Sequence, residues 1–229
     1  CPRFRYADGM PLDTLDFRTG ESPNASIIIL HGLGADANDF VPVAQQLDLR
    51  AIGDVRYVFP NAPVRAVTIN GGMRMQAWYD ILSVDLVRRE DEKGLRESVV
   101  DVQGLIDREI AAGIPAARIV LAGFSQGCAM TLLAGLRSPQ RLAGLAGLSG
   151  YLPLADTTAA ERSEANRDVP VFLGHGRSDP VVPIARGIAT RDALIELGHP
   201  VEWHDYAMQH SVSPEEIEDL HAWLLKVLA

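Results

Sequence analysis

Gly123-Phe124-Ser125-Gln126-Gly127 follows the apolar run Arg118-Ile119-Val120-Leu121-Ala122 and precedes Cys128-Ala129-Met130-Thr131-Leu132-Leu133-Ala134. The first run suits a strand and the second a helix. A G-x-S-x-G between a strand and a helix predicts a tight turn that lifts a serine hydroxyl above the end of a sheet. Glycine two residues before and after Ser125 fits, because a side chain there would collide with neighbouring backbone. The free N–H groups of the helix start then face the place where negative charge would develop on a carbonyl oxygen. Ser125 is therefore a candidate nucleophile.

Outward from this turn, strands alternate with helices. Ser26-Ile27-Ile28-Ile29-Leu30 reads as a strand buried on both faces. A helix is expected from Asp39 to Leu49, with Phe40, Val43, Ala44 and Leu47 at helical spacing. Arg56 to Phe59 reads as a strand closed by Pro60. From Pro60 to about Lys93 the pattern is irregular. It holds the strand-like Val67-Thr68-Ile69, Gly71-Gly72, Met73, Met75 and Trp78-Tyr79, and an ordered excursion over part of a pocket is expected there. Leu95, Val99, Val102, Ile106 and Ile110 mark a long amphipathic helix ended by Gly113 and Pro115. Leu142 to Leu148 and Val169 to Gly174 read as strands, with Tyr151 to Arg167 between them as a polar loop. Ile184 to Leu197 reads as a helix and Val201 to Tyr206 as the last strand. Ile217, Leu220, Leu224, Val227 and Leu228 define a C-terminal helix. Arg3 to Tyr6 hint at an edge strand or hairpin. The class is α/β with a mainly parallel sheet, and one domain is expected over 1–229.

Bulk properties exclude several functions. A formal net charge of -9 lacks the basic footprint that nucleic-acid binding needs. No apolar run approaches the ~20 residues of a membrane span, so stable membrane insertion is not expected. Cys1 and Cys128 are the two cysteines, at the chain end and in the helix behind the serine. A bridge between them is not expected, and with no signal-peptide pattern the expected location is cytoplasmic. The initial Cys1 reads as the trimmed end of a longer chain rather than the processed end of a lipid-anchored protein. Composition carries no signal for or against a homodimer.

A serine hydroxyl needs a general base, and the base needs an acid to hold its tautomer. In chain order these should follow the serine as acid, then histidine, in loops at the carboxyl ends of strands. His204 lies inside a strand, His221 on a helix, and His199 at the opposite rim of the sheet. His210 falls between the last strand and the last helix, where the base belongs. Asp179 follows a strand in the tight loop before Pro180. Asp156, Asp168, Asp192 and Asp205 fit less well. An oxyanion hole needs two backbone N–H donors. Gln126 supplies one candidate, and Leu33 in His31-Gly32-Leu33-Gly34 the other. That stretch is no dinucleotide loop, since Ala37 stands where a third glycine would be needed. No histidine spacing suggests a metal, and no cofactor is required.

Taken together, these motifs are similar to a known family. Leu30-His31-Gly32-Leu33-Gly34-Ala35-Asp36, Phe59-Pro60-Asn61-Ala62-Pro63, Trp78-Tyr79-Asp80 and the Ser125 pentapeptide resemble the bacterial carboxylesterase and acyl-protein thioesterase family. So do His175-Gly176-Arg177-Ser178-Asp179-Pro180-Val181-Val182-Pro183 and His210 before Glu215-Glu216-Ile217. The resemblance runs from about residue 20 to the C-terminus. It implies a compact α/β-hydrolase without a large cap domain, and a triad of Ser125, Asp179 and His210 with oxyanion donors at Leu33 and Gln126. It also implies a small-molecule ester or thioester substrate. Where the family usually has a second glycine after the turn this chain has Cys128, so altered packing of the helix is expected. Trp78, Tyr151, Leu152 and Val182, with Leu33, are the expected acyl pocket, and their apolar character favours neutral acyl groups. The primary reading is a serine carboxylesterase. The alternatives are a thioesterase or lysophospholipase for long acyl chains, and a non-catalytic binding protein on the same scaffold.

Overall fold

The computed structural model describes residues 12–83 and 90–229. The hint of a strand at Arg3 to Tyr6 lies outside them. In chain order the strands are β1 (Thr14–Arg18), β2 (Ala25–Leu30), β3 (Val55–Pro60), β4 (Val64–Val67), β5 (Met73–Gln76), β6 (Ile119–Phe124), β7 (Gly144–Leu148), β8 (Val171–Gly176) and β9 (Val201–Tyr206). The helices are α1 (Val41–Ala44), α2 (Glu92–Ala111), α3 (Gln126–Arg137), α4 (Ala155–Glu161), α5 (Ile184–Glu196) and α6 (Pro214–Val227).

Among the described residues seven strands form one sheet in the order β1-β3-β2-β6-β7-β8-β9. β1 runs antiparallel to β3, and every other neighbouring pair is parallel. The carboxyl ends of the parallel strands therefore share one edge, and the loops after β2, β6, β8 and β9 meet there. Period-two alternation sorts β2 between two apolar layers. Ile28 and Leu30 pack with Leu95, Val102, Ile106, Met130 and Leu133 of α2 and α3. Ile27 and Ile29 pack with Ala44 of α1 and with Leu220, Trp223 and Leu224 of α6. Helices thus cover both faces, which is why β2 is buried throughout.

Beyond β1, which the sequence did not mark as a strand, three elements differ from the sequence expectation. The helix expected over Asp39 to Leu49 is one turn long. Ala44 and Gln45 donate to carbonyls four residues back, whereas Gln46 and Leu47 donate to Val43 and Ala44, three residues back. This tighter bonding ends the helix at Ala44. Within the expected polar loop 151–167, residues 155–161 form α4. Only Thr158 of that helix is buried, so it carries no apolar stripe to read. It is fastened instead by Glu161, whose carboxylate takes Arg96 and Arg137, both at 2.8 Å. Finally, Val67-Thr68-Ile69 is divided. Val67 ends β4, and Thr68 and Ile69 lie in a 3-10 turn of an antiparallel β4–β5 hairpin. Asp80 fixes that turn by accepting from the backbone N–H and hydroxyl of Thr68 at 2.7 and 2.5 Å.

Candidate active site

The turn after β6 holds Ser125 at φ 55°, ψ −114°. That region is sparsely populated by residues with a side chain, and such strain persists only where the surroundings enforce it. The surroundings are visible. A Cβ at Gly123 would overlap the Gly127 carbonyl, and one at Gly127 would overlap the carbonyl of Leu30 at the end of β2. The Ser125 N–H donates to the Leu148 carbonyl at the end of β7 at 2.9 Å. Two neighbouring strands thus grip the turn.

The loops after β8 and β9 bring Asp179 and His210 together. The His210 Nδ1–H donates to Asp179 Oδ2 at 2.7 Å. The other carboxylate oxygen accepts the backbone N–H groups of Val181 and Val182 at 2.8 and 2.9 Å. An ionised carboxylate so supplied with donors is held in one orientation. The His210 ring lies 4.7 Å, centroid to centroid, from Phe124, the residue before the serine. From the other side, a Cβ at Gly32 would be 3.5 Å from Ser125 Cβ, so the loop after β2 lies against the serine. Among the described residues the Ser125 hydroxyl has no hydrogen-bond partner. Nucleophile–base bonds are often loose without substrate and tighten in the reacting complex.

A chain of hydrogen bonds fixes the 31–34 loop relative to the turn. The Gln126 side chain accepts from Trp78 N–H at 2.9 Å and donates to the Tyr79 carbonyl at 2.8 Å. The Trp78 indole N–H donates to the His31 carbonyl at 2.9 Å. The His31 ring accepts at Nε2 from Ala62 N–H at 3.0 Å, so its hydrogen sits on Nδ1 and goes to the Gly32 carbonyl at 2.7 Å. Burial lowers the His31 pKa and keeps this imidazole neutral. Gly34 N–H closes the loop on the Gln76 carbonyl of β5 at 2.9 Å. Leu33 therefore stands on a fixed segment, half-buried beside Ser125.

The residues expected at the pocket rim sit deeper than that. The Trp78 side chain is wholly buried and braces the His31 carbonyl from behind. Tyr151, Leu152 and Val182 belong with it to the apolar layer on the α2/α3 side. The Tyr151 hydroxyl meets that of Tyr79 at 3.0 Å, and its ring lies under the Arg186 guanidinium. Leu152 N–H donates to Thr190 Oγ1 at 2.8 Å. A groove of about 700 Å³ lies at the opposite edge of the sheet, among Arg141, Pro170, Glu202, Trp223 and Lys226. It opens at the amino ends of the strands and is remote from Ser125.

Two buried groups lie behind the site. A Cβ at Gly147 or Gly150 would lie 2.6 Å from the Cys128 sulfur, so these two glycines vacate the space the thiol fills. Burial pushes that thiol up to about 12, which leaves it unreactive at neutral pH. The second is Glu216 in the first turn of α6. Both its carboxylate oxygens are buried against Gly174 of β8, and among the described residues neither has a hydrogen bond of normal geometry, the backbone N–H of Ser213 being the nearest donor to act on them. Burial pushes its pKa up to about 8, opposed by the Ser213 backbone N–H and reinforced by the charge of Asp219. Since this value lies above that of an unfolded glutamate, the folded chain keeps a proton that the unfolded chain releases between about pH 4.5 and 8. Its contribution to stability is thus complete below pH 4.5 and lost as pH rises to about 8. Glu216→Gln should abolish this slope and raise stability at pH 8 by on the order of a few kcal/mol. Thermal melting of both proteins across that range checks it, and parallel curves would count against a protonated Glu216.

A strained serine after β6, a hydrogen-bonded Asp–His pair after β8 and β9, and helices on both faces of a mainly parallel sheet define an α/β-hydrolase. The sequence profile of the phospholipase/carboxylesterase family matches residues 18–228. An acyl-protein thioesterase 1 of Mycosarcoma maydis is 44% identical, over 92% of this chain and 94% of that protein. One of Yarrowia lipolytica is 41% identical, over 87% of this chain and 90% of that protein. The crystal structure of Arabidopsis thaliana SOBER1 superposes with a TM-score of 0.85 at 31% identity, covering 90% of this chain and 99% of that one. The chain belongs to the phospholipase/carboxylesterase family and is a serine hydrolase. These relatives are fungal and plant proteins, so the family is supported but a specifically bacterial affiliation is not. Among the described residues no helix is long and apolar enough to cross a membrane.

Sequence reasoning missed three supporting side chains: His31, Gln126 and His175. Each stands inside a motif that was quoted for its backbone or its neighbours. The available signal was a polar residue in a segment whose neighbours are all core-like, which must find partners once buried.

Proposed function

We propose that this chain is a thioesterase that removes long acyl groups from thioesters carried on protein, with Ser125 as nucleophile, His210 as base and Asp179 as its orienting acid. The 2.7 Å Asp179–His210 bond beside the strained Ser125 carries the chemistry. The names of relatives at 41% and 44% identity favour the thioester over the oxyester. The thioester, an alternative in the sequence reading, thereby becomes the principal one.

Ser125 Oγ attacks the thioester carbonyl while His210 Nε2 takes the hydroxyl proton. Asp179 accepts the Nδ1–H throughout and stabilises the imidazolium. The backbone N–H groups of Leu33 and Gln126 receive the oxyanion. Collapse breaks the C–S bond, and the proton on His210 passes to the leaving thiolate. Water, deprotonated by His210, then attacks the acyl-serine ester; the ester C–O bond breaks, the fatty acid leaves and His210 returns the proton to Ser125 Oγ. Met75, whose sulfur lies against the loop at Gly34, and Leu33 of that loop are apolar and suit a neutral acyl chain.

The test is a panel of matched thioesters and oxyesters of increasing chain length, with Ser125→Ala as control. The highest kcat/KM is expected for a long-chain thioester. Faster turnover of short oxyesters would return the assignment to a carboxylesterase, and a preference for charged acyl groups would contradict the neutral pocket.

A further inference from the structure

We propose that His175 is a positioning residue for the catalytic acid: its Nε2–H locks the 179–182 turn and so aims Asp179 Oδ2 at His210. The proposal rests on the triad reading above. His175 is the penultimate residue of β8, with its ring buried. Its Nε2 lies 2.8 Å from the Val182 carbonyl, which can only accept, so the hydrogen must be on Nε2. Val182 is thus bonded on both sides, its carbonyl to His175 and its N–H to Asp179 Oδ1 at 2.9 Å. The same Nε2 lies 3.7 Å from Asp179 Oδ2, the oxygen that binds His210 at 2.7 Å. This is too long for a hydrogen bond, but it turns the positive edge of the ring towards the carboxylate. Burial lowers the His175 pKa, outweighing the Val182 carbonyl and the Asp179 charge that raise it, which favours the neutral ring whose one N–H the Val182 carbonyl fixes on Nε2.

The surroundings are shaped to hold this ring. Gly187 lies within α5, where glycine is unfavourable relative to alanine. A Cβ there would come within 2.6 Å of His175 Nδ1 and 3.0 Å of the Trp203 ring. The ring of Trp203 runs nearly parallel to that of His175, at 6.3 Å and 23°. The imidazole is therefore confined between a helix backbone and an indole, with only its Nε2 edge directed at the acid turn. Displacement of a catalytic group by about 1 Å can reduce rate on the order of 10²-fold.

Three variants test this. His175→Met removes the donor while filling the space, and should lower kcat roughly 10- to 100-fold with KM nearly unchanged. His175→Gln places an amide N–H near the position of Nε2 and should recover most of the parental kcat. Gly187→Ala keeps the donor but displaces the ring, and should lower kcat in the same way. Melting temperatures establish that each variant is folded. Parental kcat in folded His175→Met overturns the proposal, as does a loss that glutamine shares equally. If the methionine variant does not fold, parental kcat in folded Gly187→Ala overturns it instead. Ser125→Ala and Asp179→Asn separate the two readings. If either retains parental turnover, the triad itself fails. If both are inactive while the His175 variants are normal, only the role of His175 fails.

Discussion

Ser125→Ala is expected to reduce kcat on the order of 10⁶-fold for thioester and oxyester alike, by analogy with other serine triads. No other group among those described can take over the attack. The Cys128 thiol is buried behind the turn and held up near pKa 12, so it is neither ionised nor accessible. The variant should nevertheless fold. The turn is fixed by Gly123, Gly127 and the Ser125 N–H bond to Leu148, none of which needs the hydroxyl. Alanine meets the same φ of 55° as serine, so no new strain is introduced. Steady-state turnover and labelling by a fluorophosphonate probe should be lost together, with the melting temperature close to the parent's. Near-parental hydrolysis would remove Ser125 from the mechanism.

Asp179→Asn should cost about 10⁴-fold in kcat, and the hydrogen bonds show why. Oδ1 of Asp179 accepts two backbone N–H groups, from Val181 and Val182. An asparagine at this position must turn its carbonyl oxygen to those donors. Its NH₂ then occupies the place of Oδ2 and faces His210 Nδ1. Two hydrogens cannot share that contact, so Nδ1 must accept and the imidazole hydrogen moves to Nε2. A ring protonated on Nε2 cannot take the proton of Ser125. The turn keeps its backbone bonds, and stability should change little. Rate measurements at neutral pH beside a thermal melt distinguish this from unfolding. A loss of less than about tenfold would mean that Asp179 is not the group that sets the tautomer of His210.

Much of the fold was legible because its signals are local. Ser26 to Leu30 is apolar without interruption since β2 is covered on both sides, and α2 shows its stripe since only one face is buried. The elements that escaped notice lack such a stripe. α4 buries one residue and depends on Glu161 reaching Arg96 and Arg137, partners far away in the chain. β1 is an exposed edge strand, defined by its pairing with β3 rather than by its composition.

The candidate site divides in the same manner. Taken alone, the sequence determined the chain order of Ser125, Asp179 and His210 and their placement after strands. It also determined the two glycines that the turn demands, because tight turns and strand ends leave their chemistry in neighbouring residues. Only the tertiary structure decided that Trp78 is wholly buried, with its indole N–H on the His31 carbonyl. It alone showed that Gly147 and Gly150 make room for Cys128, that the Glu216 carboxylate is buried, and that His175 stands beside the acid. Each of these depends on what packs across the sheet from a residue distant in sequence. Burial and hydrogen-bond partnership of that kind arise from the meeting of two surfaces, and neither segment alone encodes them.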